Sequence, residues 1–389
     1  MEQSERYIDK LAKYTLAAAG IAIVGGICWF FRSVIIYILA AVVVSLIAKP
    51  VMTGLQKIRI KGKKAPDWFL AALSLSLVIT VILTIFTLIV PIVSSMIKGI
   101  SFSSIENAAE QISVPLSNLN DFLRSRFPQL GEEFRIEIMM IQEIQKVFGA
   151  SAISSIIGSA TSFLTTLGIT LFSVVFMGFF FIKDDGLFTN IVCALVPDKH
   201  EKTTEKAIAD IGYLLSRYFI GVMIEVCGVA LLNFLGLMFI VRMGFNAAIG
   251  IAFLTGILNI IPYVGPLMGG VLGTTLCLIL KYSSITPIGL DVSFWVFTAM
   301  LIAIFSFTQL VDNFLYQPVI YSTSIKSKPL EIFIVLLVVG HLGGPLSMIV
   351  AIPCYTVVRV IAFRFFRHIK AIRRLIPSER LITGTTNKQ

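Results

Sequence analysis

Charged residues are scarce in this chain. Asp, Glu, Lys and Arg make up 14% of its 389 residues and hydrophobic residues make up 57%, whereas soluble globular proteins average about 25% and about 45–50%. So few polar residues cannot cover so much apolar surface, so the composition excludes a soluble enzyme, a nucleic-acid-binding domain and a disordered chain. The long apolar runs instead predict an all-α, polytopic integral membrane protein with about eight membrane segments.

Histidine and cysteine are also rare. The three histidines and five cysteines form no C-x-x-C pair and no H-E-x-x-H motif, so we expect neither a zinc centre nor a disulfide framework. The sequence has no G-x-x-x-x-G-K-[ST] loop for ATP and no G-x-S-x-G nucleophile elbow. We therefore predict that the chain is not an enzyme and uses no cofactor.

The formal net charge of +10 is concentrated beside the apolar runs. Basic residues cluster in one early loop and near the end of the chain, at Lys49, Lys57, Arg59, Lys61, Lys63, Lys64, Arg364, Arg367, Lys370, Arg373, Arg374 and Arg380. Loops rich in Lys and Arg stay in the cytoplasm and attract anionic lipid headgroups. The charge thus predicts cytoplasmic N- and C-termini, with the lipid bilayer rather than nucleic acid as the partner.

Apolar and polar stretches alternate along the chain and divide it into segments. Residues 1–91 are predicted to be N-terminal membrane segments, 92–155 an extracytoplasmic insertion, 156–182 a membrane span, 183–217 a cytoplasmic helical loop, 218–363 the transport core and 364–389 a basic cytoplasmic tail. Acids outnumber bases in the insertion, and apolar residues recur at helical spacing between Glu132 and Phe148. This periodicity predicts an amphipathic helix.

Two apolar segments of the core are interrupted by proline and glycine. The first is cut at Pro262, Gly265 and Pro266, and the second at Gly343, Gly344 and Pro345. Each is predicted to be either a bent span or a re-entrant helical hairpin. A span followed by a broken segment, twice over, is typical of an inverted repeat with its substrate site at the breaks. Asn259 and Tyr263 add hydrogen-bonding groups at the first break; the alternative is a structural kink satisfied by neighbouring helices.

Carboxylates inside apolar runs are the other candidate site residues. Asp312 lies on a polar helical face with Gln309, Asn313, Tyr316 and Gln317, and a carboxylate facing lipid would cost at least a few kcal/mol. We therefore predict that this face lines a protein interior or an aqueous cavity. The alternative is that Asp312 caps its helix or pairs with Lys326 or Lys328.

Glu225 lies about two turns inside its own span, with no basic residue three or four positions away. A role in accepting a proton or another cation would explain its presence there. The alternative is a buried ion pair with Arg242 or Arg359.

Three motifs in the C-terminal half resemble a known family. NIIPYVGPLMGG at 259–270, DNFLYQPVI at 312–320 and GHLGGPLSMIVAIPCYTVVRVI at 340–361 are similar in order and spacing to those of the autoinducer-2 exporter, or PerM-like permease, family. Asp312 stands where many relatives have Glu. The resemblance implies a multi-pass transporter of the bacterial inner membrane, with some members linked to export of the quorum-sensing signal autoinducer-2 and others to sodium/proton exchange.

These features together predict a secondary transporter that exports a small polar or amphipathic solute such as autoinducer-2, coupled to a proton or sodium gradient. A sodium/proton antiporter, a passive channel and a membrane scaffold remain as alternatives. The predicted substrate- or ion-binding residues are Asp312, Asn313, Gln309, Glu225, Asn259, Pro262, Tyr263, Gly265, Pro266, Gly343, Gly344 and Pro345. Glycine ladders and two short first membrane segments need protein neighbours, so we also expect a homo-oligomer.

Overall fold

A computed structural model describes residues 29–57, 65–99, 102–127, 170–184, 186–283, 288–320 and 329–367, with a few isolated residues besides. Within these ranges all regular structure is helical, which confirms the all-α prediction. Six of the described helices are long and apolar enough to cross a membrane, and three shorter ones are apolar too. The chain is thus a multi-pass membrane protein.

The helices are numbered here in chain order. They are α1 (Arg32–Gln56), α2 (Asp67–Gly99), α3 (Phe102–Arg126), α4 (Thr170–Lys183), α5 (Leu187–Ala194), α6 (Glu201–Leu235), α7 (Phe245–Leu258), α8 (Val264–Ser283), α9 (Phe294–Val311), α10 (Gln317–Ile320) and α11 (Pro329–Phe365). A π-helical turn, π1 (Gly236–Ile240), follows α6 directly, and a second, π2 (Asp312–Tyr316), joins α9 to α10.

The chain divides into two compact units, of which the first contains residues 1–76 and 165–188. Small residues allow close packing here: Ala41, Ala48 and Ala71 are fully buried. A Cβ atom added to Gly178 on α4 would lie 3.5 Å from the carbonyl oxygen of Ala41 on α1. Close approach of backbones through small residues is the usual means by which helices associate in lipid.

The second unit contains residues 77–164 and 189–389 and is organised along α6. Helix α9, turn π2 and helix α10 run antiparallel to α6. Their side chains pack against three glycines of α6 and π1. Gly221 contacts Ile320, Gly228 contacts Tyr316 and Gly236 contacts Ile304. Added Cβ atoms at these glycines would come within 2.7 Å, 2.3 Å and 2.4 Å of those side chains. The glycines therefore bring π2 directly against the middle of α6.

The first broken segment folds back on itself and forms hairpin A, which consists of α7, a turn at 259–263, and α8. Gly269 and Gly273 on α8 both lie against Thr255 of α7. A Cβ atom at Gly265 would lie 1.9 Å from the carbonyl oxygen of Leu258, so the tight turn accepts only glycine at this position. The two halves therefore pack side by side, which a single bent span would not allow; the re-entrant form stays a prediction.

The second broken segment, α11, also folds back and forms hairpin B. Its helix is interrupted at Gly344, which has φ 73° and ψ −174°, a conformation that favours glycine. The hydroxyl of Tyr355 donates a hydrogen bond of 2.9 Å to Glu331 Oε2. Residues 24 positions apart would be separated by about 36 Å in a straight helix, so the two halves of α11 must lie side by side.

The two hairpins approach α6 from opposite ends. Near the start of α6, Asp210 accepts a hydrogen bond from Arg364 in the last turn of hairpin B. Hairpin A begins just beyond the other end of α6, and its turn residue Asn259 extends back to Glu225 in the middle of that helix. An opposed pair of hairpins is the arrangement expected of an inverted repeat.

The first part of the predicted 92–155 insertion packs against hairpin A. Helix α3 buries Ala108, Ile112, Leu116 and Asn120, and the first three belong to the same apolar core as α8 and α9. Most of the predicted helix 132–148 lies outside the described residues, as do 58–64 and 371–389. The extracytoplasmic location of the insertion stays a prediction.

Candidate functional site

Two buried carboxyl groups meet where hairpin A, α6 and π2 come together. Glu225 is 6% exposed and Asp312 is fully buried. Their carboxyl groups lie within hydrogen-bonding reach of each other. The glycines of α6 explain why the two acids are close. Gly221 and Gly228 lie one turn on either side of Glu225, and their lack of side chains lets α10 and π2 approach α6. We call Glu225 and Asp312 the carboxyl pair.

Asn259 connects hairpin A to the carboxyl pair. It follows the last residue of α7, where the break begins, and is 3% exposed. Its Nδ2 atom donates a hydrogen bond of 3.2 Å to Glu225 Oε1. The break in hairpin A thus places the Asn259 side chain in contact with the buried Glu225 on α6.

The π-helical turn supplies Asp312 with a second donor. Gln317 Nε2 donates a hydrogen bond of 2.8 Å to Asp312 Oδ2, and Gln309 Nε2 donates one of 3.3 Å to the same oxygen. Gln317 is five positions after Asp312. In an α-helix these two side chains would point in different directions, whereas a π-helical turn places them on the same side. The turn therefore places glutamine amides on both sides of one carboxylate oxygen.

The electrostatics of the carboxyl pair require a positive charge. No salt bridge of either acid is found among the described residues; the ion pair of Glu225 with Arg242 or Arg359 stays an alternative prediction. Two carboxylates in contact repel each other unless a proton or a cation lies between them. Asp312 Oδ1 is buried and has no hydrogen-bond donor in the described part of the chain, so the pair retains an oxygen free to bind a proton or another cation.

The remaining predicted residues of hairpin A lie in the turn and at the start of α8. Pro262 and Gly265 are buried, Pro266 is partly buried and Tyr263 is 40% exposed. Tyr263 has a positive φ of 65°, which is uncommon for a bulky residue and marks a strained turn. Its ring meets that of Phe333 on hairpin B edge to face, with 5.5 Å between centroids. These residues position Asn259 and contact hairpin B.

The contacts described at the second break lie within hairpin B. Gly343 lies against the side chain of Ser347 in the same hairpin, and the Ser347 hydroxyl donates a hydrogen bond of 2.6 Å to the carbonyl oxygen of Gly344. The backbone of Pro345 is helical. Asn313 is exposed and accepts a hydrogen bond of 3.3 Å from Gln309. Of the predicted set, the structure therefore brings together Glu225, Asn259, Gln309 and Asp312.

Sequence reasoning placed Gln317 on the polar face but gave it no contact with Asp312, because helical spacing conceals a π-helical turn. It also missed Asn233, Thr255 and Thr308, which are buried polar residues of α6, α7 and α9. The polarity of these residues within apolar runs was the available signal. The predicted partners Lys326 and Lys328 lie outside the described residues.

Comparison with known proteins extends over most of the chain. Residues 19–366 match the family described as AI-2E family transporter. The chain is 24% identical over 320 residues to "Putative transport protein YueF" of Bacillus subtilis (strain 168), covering 82% of each protein. It is 26% identical over 237 residues to "Putative transport protein YrrI" of the same organism, covering 61% of this chain and 62% of the relative. The matched region includes both hairpins and the carboxyl pair.

Proposed function

The chain belongs to the AI-2E transporter family, and from that premise we propose that it is a secondary transporter whose carboxyl pair binds the coupling cation. One observation carries this proposal: Glu225 and Asp312 are buried in contact, and no salt bridge of either acid is found among the described residues. A proton or Na⁺ between the carboxyl groups would relieve the repulsion, and its release would restore the repulsion. Binding and release at this pair would therefore change the free energy of packing between π2 and α6.

The transported solute is a small polar or amphipathic molecule, of which autoinducer-2 is the first to test. The description of the matched family supports this choice. The solute would cross where hairpins A and B approach each other, and Tyr263 and Phe333 are in contact there. We place the chain in the bacterial inner membrane, with both termini in the cytoplasm. The basic clusters beside the apolar runs support that orientation.

A sodium/proton antiporter is the second candidate. The carboxylate oxygens of the pair are ligands that suit a single hard cation, and the amide donors Asn259, Gln309 and Gln317 hold these oxygens in place. In this alternative the cation is itself the transported species. The same preparation tests both candidates.

The test is flux in proteoliposomes that contain the purified chain. Autoinducer-2 efflux is measured with and without an imposed proton or sodium gradient, for the wild type, Glu225→Gln and Asp312→Asn. We expect gradient-dependent efflux in the wild type and its loss in both variants, because a neutral amide does not exchange a proton and binds a cation more weakly than a carboxylate does. Glu331→Gln is the matched control, since this carboxylate already has a hydroxyl partner in Tyr355.

Each other outcome selects another function. Sodium/proton exchange without efflux, lost in the same two variants, supports the antiporter. Efflux that never accumulates solute against a gradient supports a passive channel. Coupled efflux that survives in Glu225→Gln/Asp312→Asn removes the carboxyl pair from the mechanism. Absence of every flux supports a scaffold.

A further inference from the structure

A second group of buried polar side chains lies farther along α6. Asn233 on α6, Thr255 on α7 and Thr308 on α9 are 2%, 3% and 3% exposed. Asn233 Nδ2 donates a hydrogen bond of 2.9 Å to Thr255 Oγ1, which itself donates to the carbonyl oxygen of Ala252 at 3.0 Å. The amide of Asn233 is therefore held in one orientation by hairpin A.

Two oxygen atoms of this group have no hydrogen-bond partner among the described residues. They are Asn233 Oδ1 and Thr308 Oγ1. Buried polar atoms in proteins are nearly always paired, so each unpaired atom calls for an explanation. Because Asn233 uses its amide nitrogen on Thr255, its carbonyl oxygen is left as an acceptor.

The two residues that carry these oxygens flank the same contact between helices. Gly236 contacts Ile304 where π1 meets α9. Asn233 lies about one turn before Gly236, and Thr308 lies one turn after Ile304. Because α6 and α9 run antiparallel, one turn back along α6 and one turn forward along α9 are displacements in the same direction from the contact between Gly236 and Ile304. Asn233 and Thr308 are thus at the same level of the interface, with Thr255 completing the group.

We propose that Asn233, Thr255 and Thr308 form a second, uncharged site that binds a monovalent metal cation such as Na⁺. Amide carbonyl and hydroxyl oxygens are ligands of hard monovalent cations. They are far too weakly basic to take up a proton at physiological pH. A divalent cation would lose more hydration energy than three neutral oxygens can replace.

The site is distinct from the carboxyl pair. Asn233 is eight positions after Glu225, which corresponds to about 12 Å along α6. The proposal for this site rests on its own two unpaired oxygens, Asn233 Oδ1 and Thr308 Oγ1. It therefore does not depend on how the carboxyl pair takes part in transport.

The experiment measures ²²Na⁺ binding to the purified full chain in detergent. Thr308→Val keeps the side-chain shape and removes one oxygen, and Asn233→Leu removes the carbonyl. We expect each variant to weaken ²²Na⁺ binding at this site by about tenfold or more. Thr298→Val is the control on the same helix, because the Thr298 hydroxyl already donates to the carbonyl oxygen of Phe294 at 2.8 Å; it should bind like the wild type.

The variant Glu225→Gln/Asp312→Asn separates the two sites. The proposal predicts that this variant retains ²²Na⁺ binding, and that adding Thr308→Val to it abolishes the binding. Loss of all binding in Glu225→Gln/Asp312→Asn, equal binding in Thr308→Val and wild type, or no binding to the wild type would each overturn the second site. The last of these results would assign the unpaired oxygens to water and would leave the proposed transport function standing.

Discussion

Hairpins A and B are broken by the same residue types but present different chemistry at their tips. At the tip of hairpin A, Asn259 is 3% exposed and donates a hydrogen bond to the carboxyl pair. At the tip of hairpin B, Leu342 is 80% exposed, and Ser347 donates hydrogen bonds to Gly344 and Val339 of the same hairpin. Similar breaks in two membrane helices can therefore carry different chemistry. The side chain beside the break determines whether the hairpin tip can donate a hydrogen bond to a buried carboxyl group.

The hairpins also differ in how tightly they turn. In hairpin A the chain comes so close at Gly265 that a Cβ atom would overlap a backbone oxygen. In hairpin B, Gly344 has open space around it and needs only its positive φ. Hairpin A is thus fixed by close packing and hairpin B by a backbone torsion, which predicts different tolerance to substitution.

The largest expected effect is that of Gly265→Ala. Its Cβ atom would lie 1.9 Å from Leu258 O, and backbone atoms cannot move away as the end of a flexible side chain can. We expect a loss of more than about 3 kcal/mol in the free energy of unfolding. Gly344→Ala should cost less, about 1–3 kcal/mol, because only the torsion is unfavourable. Reversible SDS unfolding followed by circular dichroism measures both; equal losses would contradict the distinction between the hairpins.

The next effect concerns function more than stability. Asn259→Leu removes the donor to Glu225, whereas Tyr355→Phe removes the donor to Glu331 in hairpin B. Each substitution deletes one hydrogen bond to a carboxyl group, worth about 1.5–3 kcal/mol at most. We expect gradient-coupled flux to be lost in Asn259→Leu and kept in Tyr355→Phe, measured in the proteoliposomes described above. Loss of coupling in both variants would show that hairpin B also serves the carboxyl pair.

The sequence predicted the breaks because proline and glycine have direct backbone consequences. Pro262 and Gly344 each fall at an observed interruption, and Gly265 is the second residue of the helix that follows the first one. It could not decide between a bent span and a hairpin, because that choice depends on contacts such as the one between Tyr355 and Glu331, which are distant in sequence. Long-range packing, rather than local propensity, determines how the halves pair.

The candidate site was predictable only in part. Glu225 and Asp312 stood out as acids in apolar runs, because burying a charge is costly enough to need an explanation. Their contact with each other was not foreseen, since it depends on Gly221 and Gly228 admitting π2. The π-helical turn itself has no reliable sequence signature, so the bond between Gln317 and Asp312 could not be inferred.

The smallest expected effect lies at the base of hairpin B. Arg364 donates to Asp210 through its Nε atom at 2.8 Å, and both side chains are only about a fifth exposed. Arg364→Gln should lower the free energy of unfolding by about 1.5 kcal/mol, measured by the same SDS titration. Arg367→Gln changes the net charge equally, but Arg367 forms no ion pair among the described residues, so it should have little effect. Asp210 is about 22 Å from Glu225 along α6, so coupled flux should survive in both variants. Loss of coupling in Arg364→Gln at unchanged stability would instead show that the base of hairpin B moves during the transport cycle. That result would remove the contrast between a functional hairpin A and a structural hairpin B.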